Sequence, residues 1–526
     1  MDTKALRQKI LDLAIRGKLV PQDPSDEPAS VLLERIRQQK QQMVKEGKLK
    51  PKDIKNDSVI FVGEDNLHYE KFSDGSVKCI EDEIPFDLPD GWAWSRIKNI
   101  SLIGTGATPL KSNSTYYKDG TIPWITSAAT SKASITLPTD YITNLALAET
   151  NCTIYPVGTL IIAMYGEGKT RGQISELDIE ACTNQACAAL RVLGESKPLR
   201  QYVKLYFQYS YGSLRQKAKG GQQPNLNQTI IADTLIPIPP YKEIDRVIMV
   251  ASDCFDLVDT IEEDKAAVLD GIGCIKKCIL DLAIRGQLAP QDPADEPASV
   301  LLERIRAEKE ELIKQGKIKR DKKESVIFRG EDNSYYLRTG ALVESLEDWD
   351  FEELPDGWSV CCLGELCDYG NCTNIDTADI ANSAWILDLE DIEKDSGVVL
   401  QKVRQGERNA GSTKHRFHKG QVLYSKLRPY LNKVVLADED GYCTSEILPL
   451  EFERNILPQY ARYFLMSPTF LRYANKCSYG VKMPRLGTTD GKKAIVSVPP
   501  IEEQKRIVMA IELAFAQLAS ITENLT

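Results

Sequence analysis

Apolar side chains between Tyr241 and Arg285 recur at alternating spacings of three and four residues: Ile244, Val247, Ala251, Cys254, Val258 and Ile261, then Val268, Ile272, Ile275, Ile279 and Leu282. Such spacing lays one apolar seam along a helix and is the pattern of a coiled coil. Only Lys265 interrupts the series, and the stretch contains no proline. It predicts a single helix of about 45 residues, about 70 Å long at 1.5 Å per residue, with Gly271 as the place where it would bend.

The same seam is divided between the two ends of the chain. Ile507, Ile511, Ala514, Leu518 and Ile521 repeat its first half, and Leu6, Ile10 and Leu13 repeat its second. A stronger repeat adjoins them. Leu11 to Arg37 aligns with Leu280 to Arg306 at an offset of 269, with 24 of 27 positions identical and only Lys18/Gln287, Val20/Ala289 and Ser25/Ala294 different. Self-similarity of this kind marks a duplicated architecture. It continues through Ser58-Val59-Ile60-Phe61 and Ser325-Val326-Ile327-Phe328, then Leu88-Pro89-Asp90-Gly91-Trp92 and Leu354-Pro355-Asp356-Gly357-Trp358. After each tryptophan it collapses. It returns at an offset of 260, where Gln223-Pro224-Asn225-Leu226 faces Met483-Pro484-Arg485-Leu486 and Pro239-Pro240 faces Pro499-Pro500. Two similar frames thus hold two different inserts, and their circular order would let the chain close into a pseudo-two-fold ring.

Within the frame, Asp26-Glu27-Pro28 and Asp295-Glu296-Pro297 give an acidic start and a first-turn proline. Leu32, Ile36 and Met43 then fall on one face, which predicts a short amphipathic helix ending near Gly47. The near-identity of the two copies suggests that Leu32, Ile36, Leu301 and Ile305 meet the same kind of partner twice. Recent duplication without such a role explains it equally well.

A chain of 526 residues is too long for one core. It has no run of 18 or more apolar residues, and Met1-Asp2-Thr3-Lys4 does not open an export signal; the expectation is a cytoplasmic protein with no membrane partner. The thirteen cysteines lack a paired framework and read as small buried residues in a reducing compartment. Cys361, Cys362, Cys367 and Cys372 lack CxxC spacing, and neighbours in a strand face opposite ways, so no metal is expected. Three histidines, His68, His415 and His418, leave little for a histidine-based active site.

A net charge of −10 argues against nucleic acid for the chain as a whole. The distribution changes that picture. Residues 91–240 carry 14 Lys/Arg against 9 Asp/Glu and residues 402–433 carry 9 against 1, whereas residues 241–270 carry 3 against 9. Basic variable regions on an acidic frame suit phosphate contact and helix-mediated assembly together.

Gly166-Glu167-Gly168-Lys169-Thr170 invites a phosphate-loop reading, but position 163, where that motif needs glycine, is Ala163. The loop follows the strand-like Leu160 to Met164, and Lys169, Thr170 and Arg171 either contact DNA or form a solvated basic loop. Ile238-Pro239-Pro240-Tyr241 resembles the end of an adenine-methyltransferase motif, yet the essential Asn or Asp is Ile238; the prolines better serve to stop a strand. Gln222, Gln223 and Asn225 either read adenine through paired amide hydrogen bonds or cap a turn beside Pro224. Tyr424, Lys426, Arg428, Tyr430 and Lys433 combine cations with rings near a strand. On composition alone they form its polar solvent face, and the same holds for Lys482 and Arg485.

Variable domains entered at Leu-Pro-Asp-Gly-Trp, closed by Pro-Pro before a long helix, and repeated in circular order resemble the specificity subunits of type I restriction-modification enzymes over essentially the whole chain. Gly106-Ala107-Thr108-Pro109, Ile122-Pro123-Trp124-Ile125 and Gly220 to Leu226 are similar to stretches of that family's target-recognition domains. Pro499 to Ile507 is close to the family's closing element, while Pro239 to Val247 departs from it, with Ile244-Asp245 where Gln504-Lys505 stands.

The resemblance implies an α+β fold in which two mixed α/β target-recognition domains are joined by two long antiparallel helices with circular pseudo-two-fold symmetry. The boundaries are a half-helix at 1–20, a repeated helical and β insert at 21–87, a recognition domain at 88–240, the central helix at 241–286, the second insert at 287–353, the second recognition domain at 354–500 and a half-helix at 501–526. It implies a non-catalytic chain whose domains each bind half of a split site in double-stranded DNA. Two modification (methyltransferase) subunits and the restriction (nuclease and translocase) subunits are the implied protein partners, with S-adenosylmethionine, ATP and Mg held by them and no cofactor on this chain. It also turns the basic residues of the second domain toward DNA. A helix of about 70 Å spans about 20 base pairs, within which two modules one turn apart fit. A rival reading is a duplicated coiled-coil scaffold that binds protein or glycan, which the acidic total favours. Tandem active sites would need matched catalytic residues, and the variable domains share almost none.

Overall fold

The central seam forms one helix, Tyr241–Ile284, 44 residues running unbroken through Gly271. Its burial follows the expected positions at Ile244, Val247, Ala251, Val258 and Ile272; among the others Val268, Ile275 and Leu282 are exposed, and Leu280, Ala283 and Ile284 are buried instead. A helix of 3.6 residues per turn drifts about 20° per heptad against a 3.5-residue repeat, so the buried face moves off the heptad series. The computed structural model describes residues 2–166, 168–194, 197–217, 225–317, 325–332, 334–346, 354–408 and 412–525. It divides into two units, Met1–Asp264 and Lys265–Thr526, each with mixed α/β architecture.

Each unit sets a terminal helix beside one half of the long helix. In the first, helix Thr3–Ile15, capped by the Asp2 carboxylate, lies beside the first half of the long helix; Arg7 pairs with Asp259 and sits 5.8 Å from the Phe255 ring centre. In the second, the other half of the long helix lies beside Ile501–Leu525, and Lys276 sits 5.6 Å from the Phe515 ring centre. Position 276 is 269 beyond Arg7, and 515 is 260 beyond Phe255, the offsets of the sequence repeat. Among the described residues Ile501–Leu525 is the one helix long and apolar enough to cross a membrane; it places Ile507, Val508 and Ile511 in its unit's core.

The near-identical segment makes a joint within each unit. Glu243, 1% exposed, accepts hydrogen bonds from Trp92 Nε1 at 3.0 Å and Gln22 Nε2 at 3.3 Å. Glu503, equally buried, accepts from Trp358 Nε1 at 3.0 Å and Gln291 Nε2 at 3.4 Å. Each glutamine also donates to a glycine carbonyl, Gly17 at 2.5 Å and Gly286 at 2.6 Å. Arg246 pairs with Asp26 at 2.5 Å and Arg506 with Asp295 at 2.6 Å. Where the closing elements differ, Ile244 is simply buried, whereas Gln504 accepts from Leu457 N and donates to Pro499 O.

Helices Ala29–Lys45 and Ala298–Lys314 follow the joint. The expectation that their apolar faces await a partner is corrected here. Leu32 and Ile36 lie in the core of the first unit and Leu301 and Ile305 in that of the second, each at most 5% exposed. Their apolar surface is already spent on the chain's own fold. Each helix leads to a three-stranded antiparallel sheet, Ser58–Val62, His68–Phe72 and Val77–Cys79 in one copy and Ser325–Arg329, Tyr335–Thr339 and Leu342–Ser345 in the other.

Each variable domain is entered and left through one antiparallel strand pair, Ala93–Arg96 with Leu235–Ile238 and Ser359–Cys362 with Ile495–Val498. The Pro-Pro pairs end the returning strands before the helices begin. Between these strands, unlike sequences fold alike. Leu160–Ala163 lies between Ile174–Leu177 and Cys187–Val192, and Val422–Ser425 lies between Val434–Leu436 and Ile447–Leu450, all antiparallel. A second sheet pairs Ile122–Ile125 in parallel with Ala181–Thr183, as Trp385–Leu387 pairs with Gly441–Thr444. The two central strands are buried at every position, and a site that asks only for apolar volume tolerates wide substitution.

Candidate nucleic-acid interface

Both central strands deliver the chain to a loop at the same edge of the fold. In the first domain the loop after Leu160–Ala163 carries Gly166, Gly168 and Gly172 at positive φ. Tyr211 Oη donates to Lys169 O at 2.5 Å, and Arg215 donates to Gly168 O and Arg171 O, both at 2.8 Å. These bonds hold the loop against helix Tyr211–Gln216, with Lys169 exposed and Thr170 and Arg171 half-buried. The next element is strand Ile174–Leu177, whereas a phosphate-binding loop leads directly into a helix. Leu226 N donates to Met164 O at 3.1 Å, which brings Asn225 to the root of the loop. Gln222 and Gln223 lie outside the described residues.

The second domain repeats this contact, with Leu486 N donating to Lys426 O at 3.0 Å. Here the loop turns through Arg428 and Asn432, both left-handed at φ of 50° and 48°, around the short turn Pro429–Leu431. Arg428 N donates to Pro484 O at 2.7 Å. Lys426, Arg428, Tyr430, Lys482 and Arg485 are therefore brought together on two adjacent loops.

Three of the second domain's candidates are used inside the fold. Tyr424 is 3% exposed; its ring packs 5.7 Å from Phe470 and 6.3 Å from Tyr369, and burial pushes its hydroxyl pKa up. The strand was expected to show water a polar face, but both of its faces are covered. Arg485 makes a two-pronged pair with Glu446, Nη2 at 2.8 Å and Nε at 3.0 Å, which raises the guanidinium's pKa. Lys433 Nζ donates to Leu389 O at 2.6 Å, and burial lowers its pKa.

The basic run 402–433 shrinks in the same way. Arg408 pairs with the fully buried Asp391 at 2.5 Å and with Asp388 at 3.1 Å, Lys414 with Asp388, Lys402 with Asp438 and Arg404 with Glu439. In the first domain Arg96 is held by Glu70 and Glu83 and Arg200 by Glu176. Among the described residues, exposed Lys169 and Lys482, with half-buried Arg171, Lys426 and Arg428, are the candidate cations that remain at the loops.

The neighbouring hairpin, which carries the candidate Lys482, also has apolar side chains at its tip that composition and charge did not single out. Strands Ser478–Tyr479 and Arg485–Leu486 pair antiparallel; Tyr479, ending the first, is 63% exposed, and between the two Met483 is 45% exposed and Val481 fully exposed. Gly480 and Pro484 bracketing Val481 and Met483 were a legible turn signal. Of the cysteines, Cys361 belongs to one core cluster and Cys362 to another across the strand, and burial pushes the Cys362 thiol up to about 12, whereas Cys79, Cys274 and Cys278 are exposed and depart from the expected burial.

Residues 89–270 and 355–525 match the family model described as "Type I restriction modification DNA specificity domain". The chain is 28% identical over 418 residues to the specificity subunit of the type I restriction enzyme EcoAI of Escherichia coli, covering 70% of this chain and 63% of that protein. Its identity to the EcoEI specificity subunit of the same organism is also 28%, over 419 residues, 69% of this chain and 61% of that one. The chain thus spans less than two thirds of the length of these relatives. Among solved structures, it is similar to the HsdS subunit from Thermoanaerobacter tengcongensis at 16% identity and a TM-score of 0.44, covering 84% of this chain and 93% of that one.

Proposed function

The chain belongs to the type I restriction modification DNA specificity family, and from that premise we propose that it is the non-catalytic subunit that selects the DNA site. Each variable domain binds one half of a bipartite sequence. The long helix, with the terminal helices that complete its circular pseudo-two-fold repeat, fixes the gap and docks two modification subunits. The assembly directs adenine methylation and, with restriction subunits, ATP-dependent cleavage; S-adenosylmethionine, ATP and Mg belong to those partners.

The observation that carries this reading is one sheet framework occurring twice with different loops at the same edge. A framework that stays while its loops change is how one architecture serves two sequences. At that edge Lys169, Thr170 and Arg171, and in the second domain Lys426, Arg428, Tyr430 and Lys482, supply phosphate and base-edge contacts. Asn225, with Gln222 and Gln223, offers amide pairs suited to adenine.

The test is to express the chain with the modification subunit encoded beside it in a methylation-free host and map N6-methyladenine by long-read sequencing. A split motif with a fixed gap is expected, and exchanging residues 92–235 should change one half alone. A stable complex that leaves no new methylation would overturn DNA specificity and favour a protein- or glycan-binding scaffold.

A further inference from the structure

The hairpin between Ser478 and Leu486 is braced at its base and apolar at its tip. Leu486 is 1% exposed, Ser478 Oγ donates to Ala474 O at 2.6 Å, and Arg485 is clamped on Glu446. The chain then turns at Gly480, φ +100°, and sends Val481 wholly into solvent, with Tyr479 and Met483 largely exposed on either side. Tyr430, 46% exposed, comes from the adjoining loop. Apolar groups gathered on a stiff projection mark a contact surface.

Cations surround the tip. Lys482 is exposed between Val481 and Met483, and Arg428, tied to Pro484 through its backbone, has a buried Nε that makes no hydrogen bond. The carboxylate at the hairpin's base, Glu446, is already engaged by Arg485. The fitting partner is therefore a polyanion with an apolar interior reachable by a narrow wedge. Duplex DNA has that chemistry: phosphates outside, and base steps that apolar side chains part by unstacking.

We propose that Val481, supported by Met483, enters a base step of the half-site bound by the second variable domain, while Lys482 and Arg428 hold the flanking phosphates. This deepens the DNA-specificity reading and rests on it. Burying one valine side chain is worth about tenfold in affinity, and the wedge repays its unstacking cost through the wider contact of bent DNA.

The test uses the complex of this chain with its modification subunit and duplexes carrying the mapped site, with 2-aminopurine replacing each base of that half-site in turn. Apart from the methylated adenine, which a methyltransferase flips on its own account and which is left unsubstituted, wild-type protein should brighten the probe at one step, because an unstacked 2-aminopurine is no longer quenched. Val481→Ser, a change at a fully exposed position, should abolish the brightening and weaken binding roughly tenfold with an unchanged salt slope, and Val481→Leu should restore both. Lys482→Ala should instead lower the salt slope by about one. Binding and methylation without brightening, or brightening that survives Val481→Ser, overturns the wedge alone. Absence of any salt-dependent duplex binding by wild type overturns the wedge and the specificity reading together. Loss of binding to phosphatidylserine vesicles by Val481→Ser, with DNA binding unchanged, overturns the wedge in favour of a lipid surface.

Discussion

Replacing Gly286 by alanine probes the joint that organises each unit. Gly286 sits at φ +69°, and a Cβ added there would lie 2.4 Å from Pro355 Cγ and 3.0 Å from Trp358 Cζ2. Gly17 is its counterpart, at φ +65° with Pro89 Cγ at 2.5 Å and Trp92 Cζ2 at 3.0 Å. An L-residue in the left-handed region costs about 1–2 kcal/mol, and overpacking against a ring braced by Glu503 adds about 1–3 kcal/mol. Each substitution should therefore cost about 2–5 kcal/mol in all. In a unit this large, at about 2–4 °C per kcal/mol, that lowers Tm by roughly 4–20 °C. The controls are Gly47→Ala and Gly316→Ala, at φ +70° and +71° with nothing within 4 Å of the added Cβ; they isolate the backbone part at about 1–2 kcal/mol. Thermal melts are followed by tryptophan fluorescence, to which Trp92 and Trp358 at the joints are two of six contributors. The reasoning is refuted if Gly286→Ala melts no lower than Gly316→Ala, or if Gly17→Ala and Gly286→Ala differ by more than the steric part itself.

Burial raises the pKa of Glu243 and Glu503 above the ordinary 4.5, so their contribution to stability is full below that value and declines as pH rises through the folded-state value. In urea melts, Glu503→Gln should gain on wild type between pH 4 and 7; a constant difference would show that burial does not govern the group. Arg408→Ala strands the fully buried Asp391 carboxylate, whose pKa its neighbours now hold down. It should cost about 3–5 kcal/mol, measured by denaturant unfolding at pH 7, and the penalty should shrink as acid protonates Asp391. Leu301→Ala and Leu32→Ala should each lose about 2–5 kcal/mol while the folded protein keeps its full complement of modification subunits on size-exclusion light scattering. Loss of a subunit without loss of stability would return those residues to a docking role.

The frame was legible because its signals are local. Spacing foretold a helix of about 45 residues against the observed 44, and Pro28 and Gly47 bracket a helix observed at Ala29–Lys45. The shared topology of the variable domains was hidden, since strands such as Leu160–Ala163 and Val422–Ser425 are buried on both faces and show no alternation to read. Part of the site misled for a related reason. Charge counted along the chain ignores partners brought in by folding: Arg485 meets Glu446 from 39 residues away, and Arg408 meets Asp391 from 17. Tyr424 carried a polar group but stood in a strand with no free face. Leu32 and Ile36 were correctly placed on one face of a helix, and only their audience was misjudged, because nothing local says whether an apolar stripe meets its own fold or another chain.

The joint also sets a timetable. Gln22 waits for Glu243, 221 residues further on, and at about 5–20 residues per second the ribosome needs on the order of ten to forty seconds to supply it. The second strap, Gln291, waits for Glu503 across 212 residues. With 24 of 27 positions identical, the two straps are nearly indistinguishable to either glutamate, and equilibrium chemistry discriminates poorly between the correct and the crossed pairing. Order of emergence does discriminate: Glu243 is made when the first strap has long been available and the second does not yet exist. Refolding from denaturant erases that sequence of events, so crossed straps are the error expected of refolded protein and not of protein fresh from translation.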